Sequence, residues 1–290
     1  MTDPTESLDP RLNAFRDDLA DAALEGRVEA ARFVEGRPAQ VRMGAASLRR
    51  APELDAPQDS QLLSGEMVTV FEEDAGEEGG WAWVQNWSDR YVGYVAALAL
   101  TAETRPATHS VRVLRTPVYP EPDLKTPVID WLSMSGQVTV AEERGRYSEL
   151  ADGGWVFTGH LAEAGVAAPD YVATARAFLG TPYLWGGKES LGLDCSGLVQ
   201  VALHRAGLPC LRDTPHQEGD ENLGQALPPD TLPEYGDLIF WKGHVAFALD
   251  AETVLHATGG PMLTVIEPLA DIDARARAES GGGITVVRRL

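Results

Sequence analysis

Cysteine, basic side chains and long apolar runs are all scarce in this sequence of 290 residues. Its two cysteines cannot form the disulfide framework that stabilises many small secreted proteins. The sequence has only 24 Lys and Arg residues but 44 Asp and Glu residues. The resulting formal net charge of −20 repels phosphate backbones and anionic lipids. We therefore expect neither nucleic acid nor a membrane as a partner, although solubility alone also accounts for such a charge.

The first residues lack the marks of a secretory signal. Acidic side chains, among them Asp3, Glu6 and Asp9, stand where such a signal has a basic start followed by an apolar run. The most apolar stretch, residues 91–100, is too short to span a bilayer. A cytoplasmic location is the resulting expectation.

Two segments of the chain repeat one another. The triplet Val-Thr-Val at residues 68–70 recurs at residues 138–140, a separation of 138 − 68 = 70 residues. In both copies short alternating strands lie between Gly, Pro and Asp turns, a pattern typical of small β-barrels. We expect a partly helical lead-in and two all-β barrels, which occupy residues 1–35, 36–104 and 105–165.

From residue 166 onward the pattern is that of an α+β domain. Asp170 is placed to cap a helix that ends near Gly180, and a second helix is expected from about Cys195 to Ala206. Alternating apolar runs then predict antiparallel strands. Their expected bounds are residues 238–241, 244–249, 254–257, 263–267 and 284–287.

Cys195 is the candidate nucleophile. It stands where a glycine-rich loop turns into an apolar helix, and the unpaired N–H groups at a helix start favour a thiolate. The ordinary alternative is a small buried thiol, the state of most free cysteines. Cys210 lies between a proline and a leucine without such a setting, and we interpret it as packing.

A thiolate nucleophile requires a general base, and two of the six histidines are placed to provide it. If residues 244–257 form a hairpin, opposed residues sum to 502 with the turn centred on Ala251 and to 500 with it centred on Asp250. Since 244 + 256 = 500, the second register makes His244 and His256 direct cross-strand neighbours. One residue of slip would break that pairing.

The two histidines permit three interpretations. A base and the group that orients it would complete a Cys-His-His triad with Cys195. The two histidines could instead be unrelated strand residues. Zinc bound by Cys195, His244 and His256 is the third option, but the close ligand pair of a structural zinc site, such as C-x-x-C, is missing from the sequence. We expect no metal and no cofactor.

Four motifs, in this order, resemble those of a known family. Gly-Thr-Pro-Tyr-Leu-Trp-Gly-Gly at 180–187, Asp-Cys-Ser-Gly-Leu at 194–198, Gly-His-Val at 243–245 and Leu-His-Ala at 255–257 are similar to the catalytic domain of the NlpC family of papain-like cysteine peptidases (the NlpC and p-sixty cell-wall hydrolases). The upstream repeats resemble bacterial SH3-like domains. The implied fold is two small SH3-like barrels followed by an α+β papain-like catalytic domain over residues 166–290.

The resemblance implies roles for individual residues. Cys195 matches the nucleophile, His244 the general base, and His256 the third triad member that holds the imidazole in its useful tautomer. Tyr183 matches a hydroxyl that helps to stabilise the oxyanion, with the backbone N–H of Cys195 as the second donor. The residues that match substrate contacts are Asp194, Ser196, Asp213 and Thr214 in the catalytic domain, and Glu66 and Tyr91 in the first SH3-like domain.

The resemblance also implies a reaction, namely hydrolysis of the γ-D-glutamyl–diamino acid bond in small cell-wall peptides with a free N-terminus. An acidic pocket of Asp194, Asp213 and Glu66 would pair with the terminal ammonium of L-Ala. One departure from the family pattern is Arg90, which precedes Tyr91 where glycine is common. The rival functions are an endopeptidase of intact peptidoglycan and a catalytically inactive binding module. The sequence leaves the preferred diamino acid (diaminopimelate or Lys) and the oligomeric state open.

Overall fold

The computed structural model describes residues 8–74, 76 and 79–290, apart from the side chain of Ser280. Residues 1–7 of the expected lead-in lie outside this described part. The chain divides into two compact units, Met1–Ala164 and Gly165–Leu290. Across the described residues, no helix is both long and apolar enough to cross a membrane.

Short elements replace the helix expected within residues 1–35. They are a parallel pair of strands and one 3₁₀ turn, namely β1 (Ala20–Asp21), β2 (Phe33–Val34) and Ala22–Leu24. Ala14 and Leu19 are buried in a cluster with Phe71 and Trp83. The apolar residues of the lead-in thus contact the following sheet at separate points, whereas an amphipathic helix needs a continuous apolar stripe. Helical structure in the described residues 8–35 is thus limited to the 3₁₀ turn Ala22–Leu24.

Seven antiparallel strands follow the lead-in. They are β3 (Arg37–Val41), β4 (Ala45–Arg49), β5 (Gln58–Leu63), β6 (Met67–Glu73), β7 (Trp81–Asn86), β8 (Val92–Ala96) and β9 (Leu100–Thr101). Their order across the sheet is β5-β4-β8-β7-β6-β3-β9. Inward-pointing residues such as Val68, Val70, Val84 and Val95 form an apolar core. The described residues of this segment are thus mostly β, apart from one 3₁₀ turn at Ala97–Ala99.

Residues 109–163 form three small sheets around a separate core. The strands are β10 (His109–Val111), β11 (Arg115–Val118), β12 (Asp130–Ser133), β13 (Gln137–Val138), β14 (Val140–Arg144), β15 (Tyr147–Leu150), β16 (Trp155–Phe157) and β17 (Leu161–Glu163). They pair as β13-β10-β17, β11-β12 and β14-β15-β16. Val111, Val118, Val138 and Val156 lie in their common core. The all-β character is confirmed, and the assignment of a second SH3-like domain stays a prediction.

The second unit has the expected α+β composition. Its elements are α1 (Tyr171–Arg176), β18 (Lys188–Glu189), β19 (Gly192–Leu193), α2 (Cys195–Arg205), α3 (Thr214–Gly219), β20 (Gln225–Leu227), β21 (Leu238–Trp241), β22 (His244–Ala248), β23 (Thr253–Thr258), β24 (Leu263–Pro268), α4 (Leu269–Ser280) and β25 (Val286–Arg289). Six strands form an antiparallel sheet in the order β20-β25-β21-β22-β23-β24. Helix α2 is buried from Cys195 to Leu203 and packs on β22 and β23.

Candidate active site

Cys195 is buried at the first position of α2. The Asp194 carboxylate caps this helix by accepting the N–H of Gly197 at 2.7 Å. The hydroxyl Oγ1 of Thr214, at the start of α3, lies 3.7 Å from the Cys195 sulfur. The backbone N–H of Val245, in β22, also approaches that sulfur. The thiol therefore lies where α2, α3 and β22 meet.

A close backbone contact explains the glycine two residues after Cys195. A Cβ atom at Gly197 would lie 2.2 Å from the carbonyl oxygen of Gly187, far inside van der Waals contact. Glycine at this position lets the first turn of α2 pack directly on the glycine-rich loop. The Asp-Cys-Ser-Gly motif is thus accounted for by a cap, a thiol and a close approach of two backbones.

The two histidines are joined, although not in the register that makes them direct neighbours. Phe247 pairs with Leu255, and 247 + 255 = 502, so His256 is offset by two positions along β23 from the residue opposite His244. Both side chains still share one face, because the offset is an even number of residues. The imidazole rings bridge this diagonal, with 2.7 Å between His244 Nε2 and His256 Nδ1.

Glu267 and Arg275 extend the histidine pair, and no motif in the sequence marks either of them. The Nε2 atom of His256 lies 2.8 Å from Oε2 of Glu267 in the neighbouring strand β24. Arg275, in α4, donates from both terminal nitrogens to the two oxygens of Glu267, each at 2.8 Å. Both ring nitrogens of His256 are therefore engaged by protein partners, which leaves neither for a zinc ion shared with Cys195.

Burial sets the charge states of the thiol and the base. Desolvation and the nearby Asp194 carboxylate raise the pKa of Cys195, and the Thr214 hydroxyl and backbone N–H groups offset this only in part. Desolvation and the neighbouring His256 lower the pKa of His244. Both shifts favour an uncharged thiol and imidazole at neutral pH. Desolvation thus opposes the effect of the helix start on the thiol, and a thiolate at Cys195 stays a prediction.

The Tyr183 hydroxyl is suited to donate a hydrogen bond. Burial raises the pKa of this half-buried tyrosine, and the neighbouring Cys195 and Asp194 raise it further. The hydroxyl therefore keeps its proton at neutral pH. A backbone hydrogen bond from Tyr183 N–H to the Met262 carbonyl, 2.9 Å long, fixes the position of the residue.

The Asp194 carboxylate is fully engaged inside the protein. Arg212, which is 0% exposed, donates to both of its oxygens at 2.9 and 2.7 Å. The N–H groups of Gly197 and Gly186 donate to it at 2.7 and 2.8 Å, and the Ser196 hydroxyl at 3.3 Å. A carboxylate accepts about four hydrogen bonds. This corrects the expectation that the Asp194 side chain pairs with a substrate ammonium.

Ser196 is engaged in the same network. Its hydroxyl also accepts a hydrogen bond from Arg212 at 3.0 Å. A substrate contact from Asp194 or Ser196 would thus have to come from the backbone. The sequence motifs pointed to Asp213 and Thr214 as site residues and gave no role to Arg212. The buried Arg212 guanidinium balances the negative charge of Asp194 at the start of α2.

We expect Arg212→Met to destabilise the second unit by about 3–5 kcal/mol, because it leaves the Asp194 charge buried without its partner. Urea denaturation followed by tryptophan fluorescence measures this loss. Arg277→Met is the matched control, since Arg277 forms an exposed ion pair with Asp273 in the same unit and its loss should cost less than about 1 kcal/mol. Equal losses for the two variants would contradict the assigned role of Arg212.

Asp213 and Thr214 lie at the start of α3. The Thr214 hydroxyl is the one beside the Cys195 sulfur, and Asp213 precedes it with a partly exposed carboxylate. That carboxylate lies 3.8 Å from Nδ1 of His216. Among the expected acidic contacts of the second unit, Asp213 therefore retains solvent access, and it lies one residue before Thr214.

Glu66 and Tyr91 belong to the first unit and share a neighbour there. Oε2 of Glu66 accepts the N–H of Leu63 at 2.9 Å and the side-chain amide of Asn86 at 3.4 Å. The N–H of Asn86 donates to the Tyr91 carbonyl at 2.9 Å, and Tyr91 is buried in the core of the first sheet. Arg90 has φ 64°, a conformation that favours the glycine common in the family. The roles of Glu66 and Tyr91 toward a substrate stay predictions.

Comparisons with known proteins agree with this architecture. Residues 180–269 match the model of the NlpC/P60 family, and residues 48–100 match that of the bacterial dipeptidyl-peptidase Sh3 domain. The chain resembles an NlpC/P60 family protein of Bacillus cereus in its fold, with a TM-score of 0.71 and 21% identity. That alignment covers 87% of this chain and 99% of the other.

Two curated relatives carry names that specify an activity. Dipeptidyl-peptidase 6 of Lysinibacillus sphaericus is 28% identical over 275 residues, which cover 84% of this chain and 96% of that protein. Gamma-D-glutamyl-L-lysine dipeptidyl-peptidase of Bacillus subtilis is 35% identical over 97 residues, which cover 33% of this chain and 31% of that protein.

The fold and these relatives define the chain as a cysteine peptidase. Its C-terminal domain carries the match to the NlpC/P60 family, and the match to the bacterial Sh3 domain precedes it in the chain.

Proposed function

We propose that this chain hydrolyses the γ-D-glutamyl–diamino acid bond of small cell-wall peptides, with Cys195 as nucleophile and His244 as general base. The observation that carries the proposal is the hydrogen-bonded pair of His244 and His256 on the sheet against which the buried thiol is packed. The names of the relatives support the bond, since both are dipeptidyl-peptidases and one is named for γ-D-glutamyl-L-lysine.

The proposed reaction is acyl transfer in two halves. The Cys195 sulfur attacks the γ-carbonyl carbon of D-Glu while its proton passes to His244. The oxyanion accepts hydrogen bonds from the Tyr183 hydroxyl and a backbone N–H. The C–N bond then breaks, and the leaving amine takes the proton from His244. Water attacks the resulting thioester, gives a proton to His244, and releases L-Ala-D-Glu and the free thiol.

The uncharged resting state fits this sequence of steps. Because burial disfavours both the thiolate and the imidazolium, the proton moves from Cys195 to His244 only as attack begins. Substrate then replaces solvent around the forming charges, and the oxyanion donors stabilise them.

For the substrate class, we propose peptides with a free N-terminal amine, such as L-Ala-γ-D-Glu-diaminopimelate or its lysine counterpart. Asp213 supplies a partly exposed carboxylate one residue before Thr214, whose hydroxyl lies beside the thiol, and Glu66 and Tyr91 are proposed as further contacts from the Sh3 domain. Residues 105–165 are proposed as a second SH3-like domain. Peptides of this kind suit recycling of released wall fragments in the cytoplasm, which is the proposed setting.

We expect N-acetylation of L-Ala-γ-D-Glu-diaminopimelate to lower kcat/KM by about a hundredfold or more, because a carboxylate desolvated by the substrate is left unpaired. Mass spectrometry of timed digests measures cleavage of the free and acetylated peptides. Glu66→Gln should reduce the ratio between these two peptides, and Glu103→Gln, at an exposed position of the same unit, should leave it unchanged.

Digestion of intact sacculi distinguishes the rival functions. An endopeptidase of polymeric peptidoglycan would release soluble fragments from sacculi and cleave acetylated peptides as well as free ones. A binding module would cleave none of these substrates. Either result would overturn the proposal of a peptidase specific for a free amine.

A further inference from the structure

The Glu267 side chain can only accept hydrogen bonds. Arg275 contacts both of its oxygens at 2.8 Å, and this contact, with a smaller contribution from His256, lowers the pKa of Glu267 to about 2. The carboxylate is therefore ionised throughout the neutral range. Asp271 and Glu279, also in α4, act on Arg275 and favour its charged form.

An acceptor at Glu267 dictates where the proton of His256 lies. The 2.8 Å contact between His256 Nε2 and Glu267 Oε2 is a hydrogen bond only if Nε2 carries hydrogen. Desolvation lowers the pKa of His256, which favours the neutral ring with a single N–H. Its Nδ1 is then a lone-pair acceptor.

The proton position on His256 in turn determines the proton position on His244. With an acceptor at His256 Nδ1, the 2.7 Å contact requires hydrogen on His244 Nε2. In the neutral His244 ring the other nitrogen, Nδ1, is then the unprotonated one. A general base needs that lone pair, because a ring with hydrogen on Nδ1 cannot take the thiol proton there.

We infer that Glu267, held by Arg275, is a positioning residue that fixes the tautomers of both histidines so that His244 presents Nδ1 as the base. The inference rests on the proposed function for its kinetic consequence, but the proton positions themselves do not depend on any substrate. Without Glu267, His256 can place its hydrogen on Nδ1 and donate to His244 Nε2, which moves the His244 proton to the nitrogen needed for catalysis.

Nitrogen-15 NMR of histidine-labelled protein tests the tautomers directly, with His244→Asn and His256→Asn spectra for assignment. In the wild-type protein Nε2 should be the protonated nitrogen of both rings. Glu267→Ala should add the Nδ1–H form of each ring, and Glu221→Ala, an exposed change in the same unit, should not. Hydrogen on His244 Nδ1 in the wild-type protein would overturn the inference even if the Ala variant failed to fold.

Kinetics provide the second readout. Glu267→Ala should lower kcat for L-Ala-γ-D-Glu-diaminopimelate about tenfold with KM changed less than about twofold, and Glu267→Asp, which keeps the carboxylate, should restore part of it. A loss of kcat with tautomers unchanged would mean a merely structural role and would overturn the inference. Absence of cleavage by the wild-type protein would instead refute the proposed function. The NMR test of the tautomers would remain valid in that case, because it uses no substrate.

Discussion

Replacement of Cys195 by alanine should abolish turnover, with a loss of kcat/KM on the order of 10,000-fold or more, because no other group can form the acyl intermediate. The fold should persist. The Asp194 cap, the Arg212 ion pair and the apolar face of α2 are all independent of the sulfur. Hydrolysis of L-Ala-γ-D-Glu-diaminopimelate measures the loss, and circular dichroism with urea denaturation checks the fold.

Cys210→Ala is the matched control, since Cys210 is the other buried cysteine of the same unit and forms no disulfide. Its sulfur contacts the carbonyl of Leu211, and its own carbonyl accepts from Gln200 and His204 through the backbone, which the substitution preserves. Activity should stay within about twofold of the wild-type value. Comparable losses from both cysteine substitutions would remove the basis for Cys195 as nucleophile.

Replacement of His244 by alanine should be nearly as damaging as loss of the thiol, since neither removal of the thiol proton nor protonation of the leaving amine then has a catalyst. His256→Ala should cost less, about a hundredfold, because the imidazole of His244 remains but loses its orienting acceptor. His256→Asn should retain more activity than His256→Ala, because an amide oxygen can replace the acceptor nitrogen. Steady-state kinetics on the same peptide rank the three variants.

The control for this series is His204→Ala, a histidine of the same unit whose Nε2 contacts the Cys210 carbonyl away from the thiol. It should leave kcat within about twofold of wild type. An activity of His244→Ala equal to that of His204→Ala would show that His244 is not the base. A larger loss from His256→Ala than from His244→Ala would reverse the roles assigned to the two rings.

Local signals in the sequence predicted the elements that carry their own start and stop residues. Asp194 and the following apolar positions predicted α2 at the right residue, and strands β21 to β25 were predicted to within two residues. The short strands β18, β19 and β20 were not predicted. Helix α4 was not predicted, because its few apolar positions, such as Leu269 and Ile272, are separated by charged residues. These positions form a buried face only when the helix packs on the sheet.

The register of the histidine hairpin could not be read from residue counts, since two turn centres satisfy the pattern equally. The Asp250 carboxylate settles it by accepting the N–H groups of Glu252 and Thr253. The bond from Leu249 N–H to the Thr253 carbonyl then closes the register in which opposed residues sum to 502. In this register the two histidines are not directly opposite each other, but their imidazole side chains are long enough to meet across the diagonal.

The orientation of polar side chains was the other feature beyond sequence reasoning. Asp194 is adjacent to the nucleophile in the chain, yet its carboxylate points to Arg212 and to the loop glycine Gly186. Glu267 lies 11 residues beyond His256 and reaches it only through the pairing of β23 with β24, in which Val254 is opposite Glu267. Contacts of this kind depend on tertiary register, and a motif of consecutive residues cannot encode them.

Covalent labelling by a substrate-shaped electrophile tests the central claim most directly. The probe is L-Ala-D-Glu with a diazomethyl ketone at the γ-carboxyl. The thiol sulfur displaces N2 from it and the thiol proton passes to the same carbon, which leaves a stable thioether. After incubation with the wild-type protein, peptide mapping by mass spectrometry should find one adduct, on Cys195, and the free tripeptide substrate should slow its formation. An adduct on Cys210 or on a histidine, or no adduct while the N-acetylated probe reacts, would contradict the account.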